Sequence, residues 1–297
     1  MNSARPLVRL AQFSPGLGDV PRNLEKMIAF VREAEKDGVD LVVFPELALT
    51  GYTLKDLVPD CAIDLAAPEM HALREASRKV SIAFGFVEET PDHLFFNSAA
   101  YLERGEIVHI HRKVHLPTYG LFEEGRYFAA GDSVRSFNTR FGRLALLICE
   151  DIWHLPIPYL AALDGALAVL VLAASPTRAV TGEGKAKNTI AWERLLLTYA
   201  SSLTIFMVYA NRSGFEDGVG YWGGSEIVSP AGEVLVKGAY HESDAPTGIV
   251  DFDHVRRERI HTPLLRDERL RVVMSELTRI MTSRQHTSAN AEVESSS

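Results

Sequence analysis

Apolar positions along this chain follow two alternating rhythms. Short uninterrupted apolar runs read as buried strands, and stretches with apolar residues three or four apart read as amphipathic helices. The first run covers residues 7–13 and ends at Ser14-Pro15-Gly16. Leu24, Met27, Ile28, Val31 and Ala34 then fall at helical spacing, which predicts a helix over about 23–37 with Gly38 as its C-terminal cap. Residues 40–44 read as a strand stopped by Pro45. Further helices are predicted at 68–79, 158–164 and 189–202, and further strands at 81–87, 97–104, 106–111, 144–148, 167–173, 204–210 and 249–252. Residues 225–229 and 233–237 suggest a hairpin across Pro230-Ala231-Gly232, and a polar helical stretch follows the last strand. Alternation of strands and helices predicts an α/β fold. With no linker-like segment and no repeat of fixed period, one domain is expected over residues 1–283, and 284–297, ending in Ser and Glu, reads as a disordered tail.

Composition narrows the function. The 297 residues are 46% hydrophobic and 24% charged, as in an ordinary soluble protein. A net charge of −8 without a basic stripe argues against nucleic acid as a partner. Arg256-Arg257, Arg266, Arg269 and Arg271 alternate with acids, as on a solvated helical face. The N-terminus lacks the apolar core of a signal peptide, and the longest apolar run, 165–174, is too short to cross a bilayer. Two cysteines, Cys61 and Cys149, support neither a disulfide framework nor a cysteine-based zinc site. A cytoplasmic protein with no membrane partner is the expectation.

Chemistry concentrates where strands end. Residues 41–44 lead into Pro45-Glu46, residues 144–148 into Cys149, and residues 167–173 into Ser175. Sites in α/β sheets lie outside the carboxyl ends of strands, so these residues can converge. Lys113 sits in a basic patch, Arg112-Lys113-Val114-His115, at the end of another strand. A cysteine needs a base or a nearby cation before it attacks, and the oxyanion it generates needs donors fixed in advance. Glu46 can serve as the base and Lys113 as the cation, with the N–H after Cys149 as a further donor. Each residue also has a plain structural use: cysteine as a small core hydrophobe, Glu46 as an acid at a helix N-terminus, Lys113 as a surface lysine. His111 and His115 suggest a metal site or a triad, but neither has a Cys or carboxylate at a recognisable local spacing.

Three stretches in this order resemble the nitrilase superfamily of carbon–nitrogen hydrolases. They are Phe44-Pro45-Glu46-Leu47-Ala48-Leu49-Thr50-Gly51-Tyr52, Arg112-Lys113-Val114-His115-Leu116-Pro117 and Ile148-Cys149-Glu150-Asp151. The resemblance runs from about residue 7 to 252 and implies an αββα sandwich, a Glu46-Lys113-Cys149 triad, no metal or other cofactor, and a homodimer or higher homo-oligomer pairing through the helices at 158–164 and 189–202. It also implies a second glutamate after the lysine; the motif selects Glu124, with adjacent Glu123 as the alternative.

Within the superfamily the chain is most similar to the glutaminase domain of glutamine-dependent NAD synthetases, through residues 46–52, 113–128 and 149–153, Ala174-Ser175-Pro176 and residues 220–225. That resemblance implies that Tyr119, Glu150 and Ser175 bind substrate together with Glu124. The chain departs from the pattern in having no Ser-Gly-Gly-x-Asp loop and no synthetase-sized segment after residue 252. The segment after Pro176 offers Arg178 or Lys185 as a carboxylate-binding cation. Nitrilases generally carry Trp after the cysteine, where this chain has Glu150, so the resemblance favours amides over nitriles. The expected function is an amidase releasing ammonia from a small linear carboxamide. A glutaminase subunit feeding a separate synthetase partner is the alternative, ahead of an N-carbamoyl amide hydrolase, a nitrilase or a non-catalytic member.

Overall fold

The computed structural model describes residues 4–177 and 186–295. Two compact units divide the chain, Met1–Thr262 and Pro263–Ser297. The first carries two six-stranded sheets packed face to face. One is built from β1 (Leu7–Leu10), β2 (Leu41–Val43), β3 (Ser81–Glu89), β4 (Phe95–Glu103) and β5 (Glu106–Arg112). The other contains β6 (Ser136–Asn138), β7 (Arg143–Ile148), β8 (Ala168–Ala173) and β9 (Phe206–Asn211). A separate hairpin, β10 (Ser213–Glu216) with β11 (Val219–Trp222), precedes β12 (Glu226–Val228) and β13 (Val234–Lys237), which extend the second sheet. The last strand, β14 (Thr247–Ile249), returns to the first sheet beside β1.

In each sheet the parallel strands lie at the centre, β1-β2-β3 in one and β7-β8-β9 in the other. Strands covered on both faces must be apolar throughout, which explains why β2, β8 and β9 are buried at every position. Helices α1 (Val20–Lys36) and α3 (Pro68–Ala76), flanking the short α2 (Val58–Cys61), cover the first sheet. Met27, Val31, Met70 and Leu73 pack there against Val42, Phe44 and Ile82. Beyond the single turn of α4 (Glu124–Tyr127), helices α5 (Pro156–Leu163) and α6 (Lys187–Leu203) lie against the second sheet. The layers are therefore α, β, β and α, the expected sandwich.

Most predicted elements appear within a few residues of their expected ends. Gly38 follows α1 in the left-handed conformation, φ +72, and closes the helix as predicted. One strand is corrected. Pairing stops at Ile249, and Phe252 opens α7 (Phe252–His261), because the Asp251 side chain accepts the Asp253 N–H and caps the helix. The polar stretch beyond is a separate unit whose helix, α8 (Leu270–Ser295), runs through much of the segment read as a disordered tail. Among the described residues no helix is long and apolar enough to cross a membrane.

Candidate active site

Glu46 sits where the chain leaves β2 and turns sharply. Leu47 adopts a positive φ of +47, and the turn lies directly on β3. Gly85 makes that approach feasible: a Cβ there would fall 2.3 Å from the Leu47 nitrogen and 2.9 Å from the Glu46 Cα. The Glu46 carboxylate is buried and fully engaged. Its Oε2 accepts the Ala174 N–H at 2.8 Å, and its Oε1 accepts the Asn97 amide at 2.8 Å and the Lys113 ammonium at 2.7 Å. The Ala174 bond ties the first sheet to the end of β8.

Lys113 follows β5, where Asn97 and Gly131 hold its backbone from both sides. Its Nζ donates to Glu46 and, also at 2.7 Å, to Glu124 Oε1. Tyr52 donates its hydroxyl to that same Glu124 oxygen. Glu124 is buried whereas Glu123 is exposed, so the contact with Lys113 belongs to Glu124. Burial works against the charge on Lys113, but Glu124 and Glu46 outweigh it and hold the ammonium well above the usual lysine range. Burial also raises the Glu124 carboxyl, opposed by Lys113 and assisted by Glu46, to about 7. These groups titrate as a set.

Cys149 occupies the step from β7 into a short 3₁₀ turn, Cys149–Trp153, with φ +40. A non-glycine residue in that region stores roughly 1–3 kcal/mol of strain, tolerated where surrounding bonds fix the turn. Asp151 supplies those bonds. One carboxylate oxygen accepts the Val114 and His115 N–H groups at 3.0 Å; the other accepts Ile148 N–H at 3.1 Å and lies 2.9 Å from His111 Nε2. The lysine and cysteine loops are thus stitched together by one buried carboxylate. Burial opposes its charge, but the bonds from His111 and His115 hold it far below the usual carboxylate range. Burial, Glu46 and Glu124 push the Cys149 thiol well above its ordinary value, with Lys113 pulling the other way.

Beside Cys149 opens a cavity of about 320 Å³, which among the described residues is lined by Tyr119, Phe122, Cys149, Glu150, Trp153, Ser175, Pro176, Lys187, Asn188 and Trp192. Tyr119 donates its hydroxyl to both Glu150 oxygens at 3.0 Å, and Ser175 is fixed through its N–H to Asn211 Oδ1 at 2.8 Å. All seven residues singled out in the sequence therefore converge. Glu46, Lys113 and Glu124 touch directly, and Cys149, Tyr119, Glu150 and Ser175 face one cavity. Arg178 and Lys185 lie outside the described residues.

Sequence reasoning missed Asn97, Asp151 and the cavity residues Lys187, Asn188 and Trp192. Asn97 did leave a trace, an amide beside Ser98 in a mostly apolar, buried strand. His111 has the carboxylate partner that its local sequence lacks, because Asp151 arrives from 40 positions away. It contributes to the bracing of the cysteine turn.

A buried carboxylate and ammonium near a thiol that faces a cavity offer a proton acceptor, a fixed cation and a nucleophile. The family model described as carbon-nitrogen hydrolase matches residues 7–260. A glutamine-dependent NAD(+) synthetase of Thermotoga maritima is 34% identical over 262 residues, covering 86% of this chain and 44% of the relative. The solved glutamine-dependent NAD+ synthetase of Acinetobacter baumannii superposes with a TM-score of 0.74 at 30% identity, covering 84% of this chain and 46% of that one. The chain thus spans less than half the length of these relatives. A carbon-nitrogen hydrolase from Helicobacter pylori shares the fold over 91% of this chain and 97% of its own, with a TM-score of 0.81 at 24% identity. By sequence and by fold, this chain belongs to the carbon-nitrogen hydrolase family of the nitrilase superfamily.

Proposed function

We propose that the protein hydrolyses a small linear carboxamide through a thioester on Cys149 and releases ammonia. The supporting observation is the direct Glu46–Lys113–Glu124 contact beside a buried cysteine at the mouth of a cavity. In this reading Glu46 takes the thiol proton as sulfur attacks the amide carbon. The carbonyl oxygen becomes an oxyanion, held by the Lys113 N–H not spent on carboxylates and by the N–H of Glu150. Glu46 then protonates the leaving nitrogen, the C–N bond breaks and ammonia departs. Water enters, Glu46 removes its proton, hydroxide attacks the thioester, and the C–S bond breaks as the thiol is restored.

Tyr119, Glu150 and Ser175 are assigned to substrate binding. The cavity is walled by Tyr119, Phe122, Trp153 and Trp192, with Glu150 and Lys187 as the charged residues among its described lining. That suits a short amide. Ammonia release measured across glutamine, asparagine, ω-amides, carbamoyl amino acids and simple aliphatic amides tests the proposal. Turnover of at least one linear amide is expected; hydrolysis of nitriles alone would overturn it.

A second reading is favoured by the glutamine-dependent synthetases of which the chain matches less than half. Here the protein is a glutaminase subunit supplying ammonia to a separate synthetase. Glutamine turnover that rises when a co-purified synthetase is added supports this reading, and turnover indifferent to any such partner counts against it. Self-association through α5 and α6 accompanies either reading, with Leu155 and Leu160 exposed at α5. A monomer in light scattering would contradict it.

A further inference from the structure

The β10–β11 hairpin belongs to neither six-stranded sheet, yet it carries a buried ion pair. Arg212, just before the hairpin, is fully buried; its Nη1 donates to Glu216 Oε2 at 2.5 Å, and its guanidinium lies 4.1 Å from the centre of the Tyr221 ring. Arg212 Nε and Nη2 have no hydrogen-bond partner among the described residues. A buried pair left partly unsatisfied is a poor stabiliser, so its use must be sought in what it holds.

Glu216 holds a turn that follows β2 of the first sheet. Its Oε1 accepts the N–H groups of Tyr52 at 3.0 Å and Thr53 at 2.7 Å. Gly51, at φ +79, lets the backbone press against the carboxylate, since a Cβ there would sit 2.8 Å from Glu216 Oε2. Tyr52 leaves this turn and reaches the Glu124 oxygen that also binds Lys113. Tyr52 itself does not line the cavity beside Cys149.

We propose that Glu216, clamped by Arg212, is a positioning residue that fixes the Tyr52–Thr53 turn so that the Tyr52 hydroxyl engages Glu124. It acts through Tyr52 and does not touch the reacting atoms. The inference rests on the amide-hydrolase reading for its kinetic consequence, but the contact it predicts can be tested separately. Because the Tyr52 bond favours the charged form of Glu124, losing it moves the carboxyl to higher pH.

The test compares the full chain as wild type, Glu216→Gln, Tyr52→Phe and the double variant. kcat and KM are measured across pH with the amide that wild type hydrolyses fastest. Glu216→Gln is expected to lower kcat by about tenfold, with little change in KM, and to shift the acid limb upward. Tyr52→Phe should do the same, and the double variant should be no worse than Tyr52→Phe. Additive losses, or a Glu216→Gln enzyme with wild-type kinetics, would overturn the inference. Should Glu216→Gln fail to fold, the paired Arg212→Met, Glu216→Leu change removes both charges and takes its place in the cycle. If wild type hydrolyses no amide, the functional reading fails alone. A crystal structure of the variant then decides: Tyr52 beyond hydrogen-bond reach of Glu124 supports positioning, and an unchanged contact refutes it.

Discussion

Lys113 and Glu46 meet at 2.7 Å with both side chains fully out of solvent. One ammonium is shared between this carboxylate and that of Glu124, so an excess negative charge is buried beside the cysteine. Removing one member of such a set leaves an uncompensated charge and typically costs about 3–5 kcal/mol. With burial, this charge raises the thiol well above its ordinary value, so a protonated Cys149 is the expected resting form.

Glu46→Gln separates two properties of the cysteine. Amide hydrolysis should fall by about a hundredfold or more, since the proton acceptor is gone. Yet Glu46, after burial, is the largest cause raising the thiol, and Lys113 lowers it, so without Glu46 the thiolate is less strongly opposed. Alkylation of Cys149 by iodoacetamide at neutral pH should therefore become faster than in wild type. Slower alkylation would mean that Glu46 already carries the thiol proton in the resting protein.

Glu124 gives the pH dependence. Its charged form accepts more strongly from Lys113 and Tyr52, so kcat/KM is expected to decline as pH falls through about 7. Stability runs in the opposite direction. The folded-state value lies above that of the unfolded chain, so the stabilising contribution is complete below the ordinary carboxylate range and is lost as pH rises through about 7. Thermal melts of wild type between pH 5 and 8, set against Glu124→Gln, should show this fall in wild type only.

Asp151→Ala removes the acceptor for three backbone N–H groups, those of Val114, His115 and Ile148. Each buried donor left unmet costs about 1–3 kcal/mol, so urea unfolding should register a loss of several kcal/mol. The strained φ of Cys149 should relax as well, and activity should fall further than stability alone explains. A variant with wild-type stability would show that the cysteine turn does not depend on this carboxylate.

Gly85→Ala adds one methyl carbon against the Glu46 turn. A Cβ 2.3 Å from the Leu47 nitrogen must displace backbone, so overpacking of about 1–3 kcal/mol and a sharp drop in kcat are expected. Alanine at Gly38, before β2, meets open space but a φ of +72, so it should cost backbone strain and leave kcat unchanged.

The strands and helices of the sandwich were legible because burial on both faces leaves β2 and β8 without polar residues and β9 apolar up to its end at Asn211, save for the buried Tyr209. Glu46 and Cys149 stood out because each follows such a run, and Lys113 because it ends a strand within a basic patch. Asp151 and Glu216 did not, since their bonds run to residues far away in sequence and no local spacing announces them. Phe252 was misread for a related reason: its apolar neighbours suggest a strand, but the Asp251 cap decides for a helix. The choice between Glu123 and Glu124 needed burial, which the motif alone could not supply.

In the proposed reaction Cys149 carries the acyl group. Wild-type protein mixed with a hydrolysable amide, quenched in acid and digested should give a mass increase equal to the acyl group on the peptide containing Cys149, absent from Cys149→Ala, which should release no ammonia while keeping its fold. Ammonia release by Cys149→Ala near the wild-type rate would contradict the account.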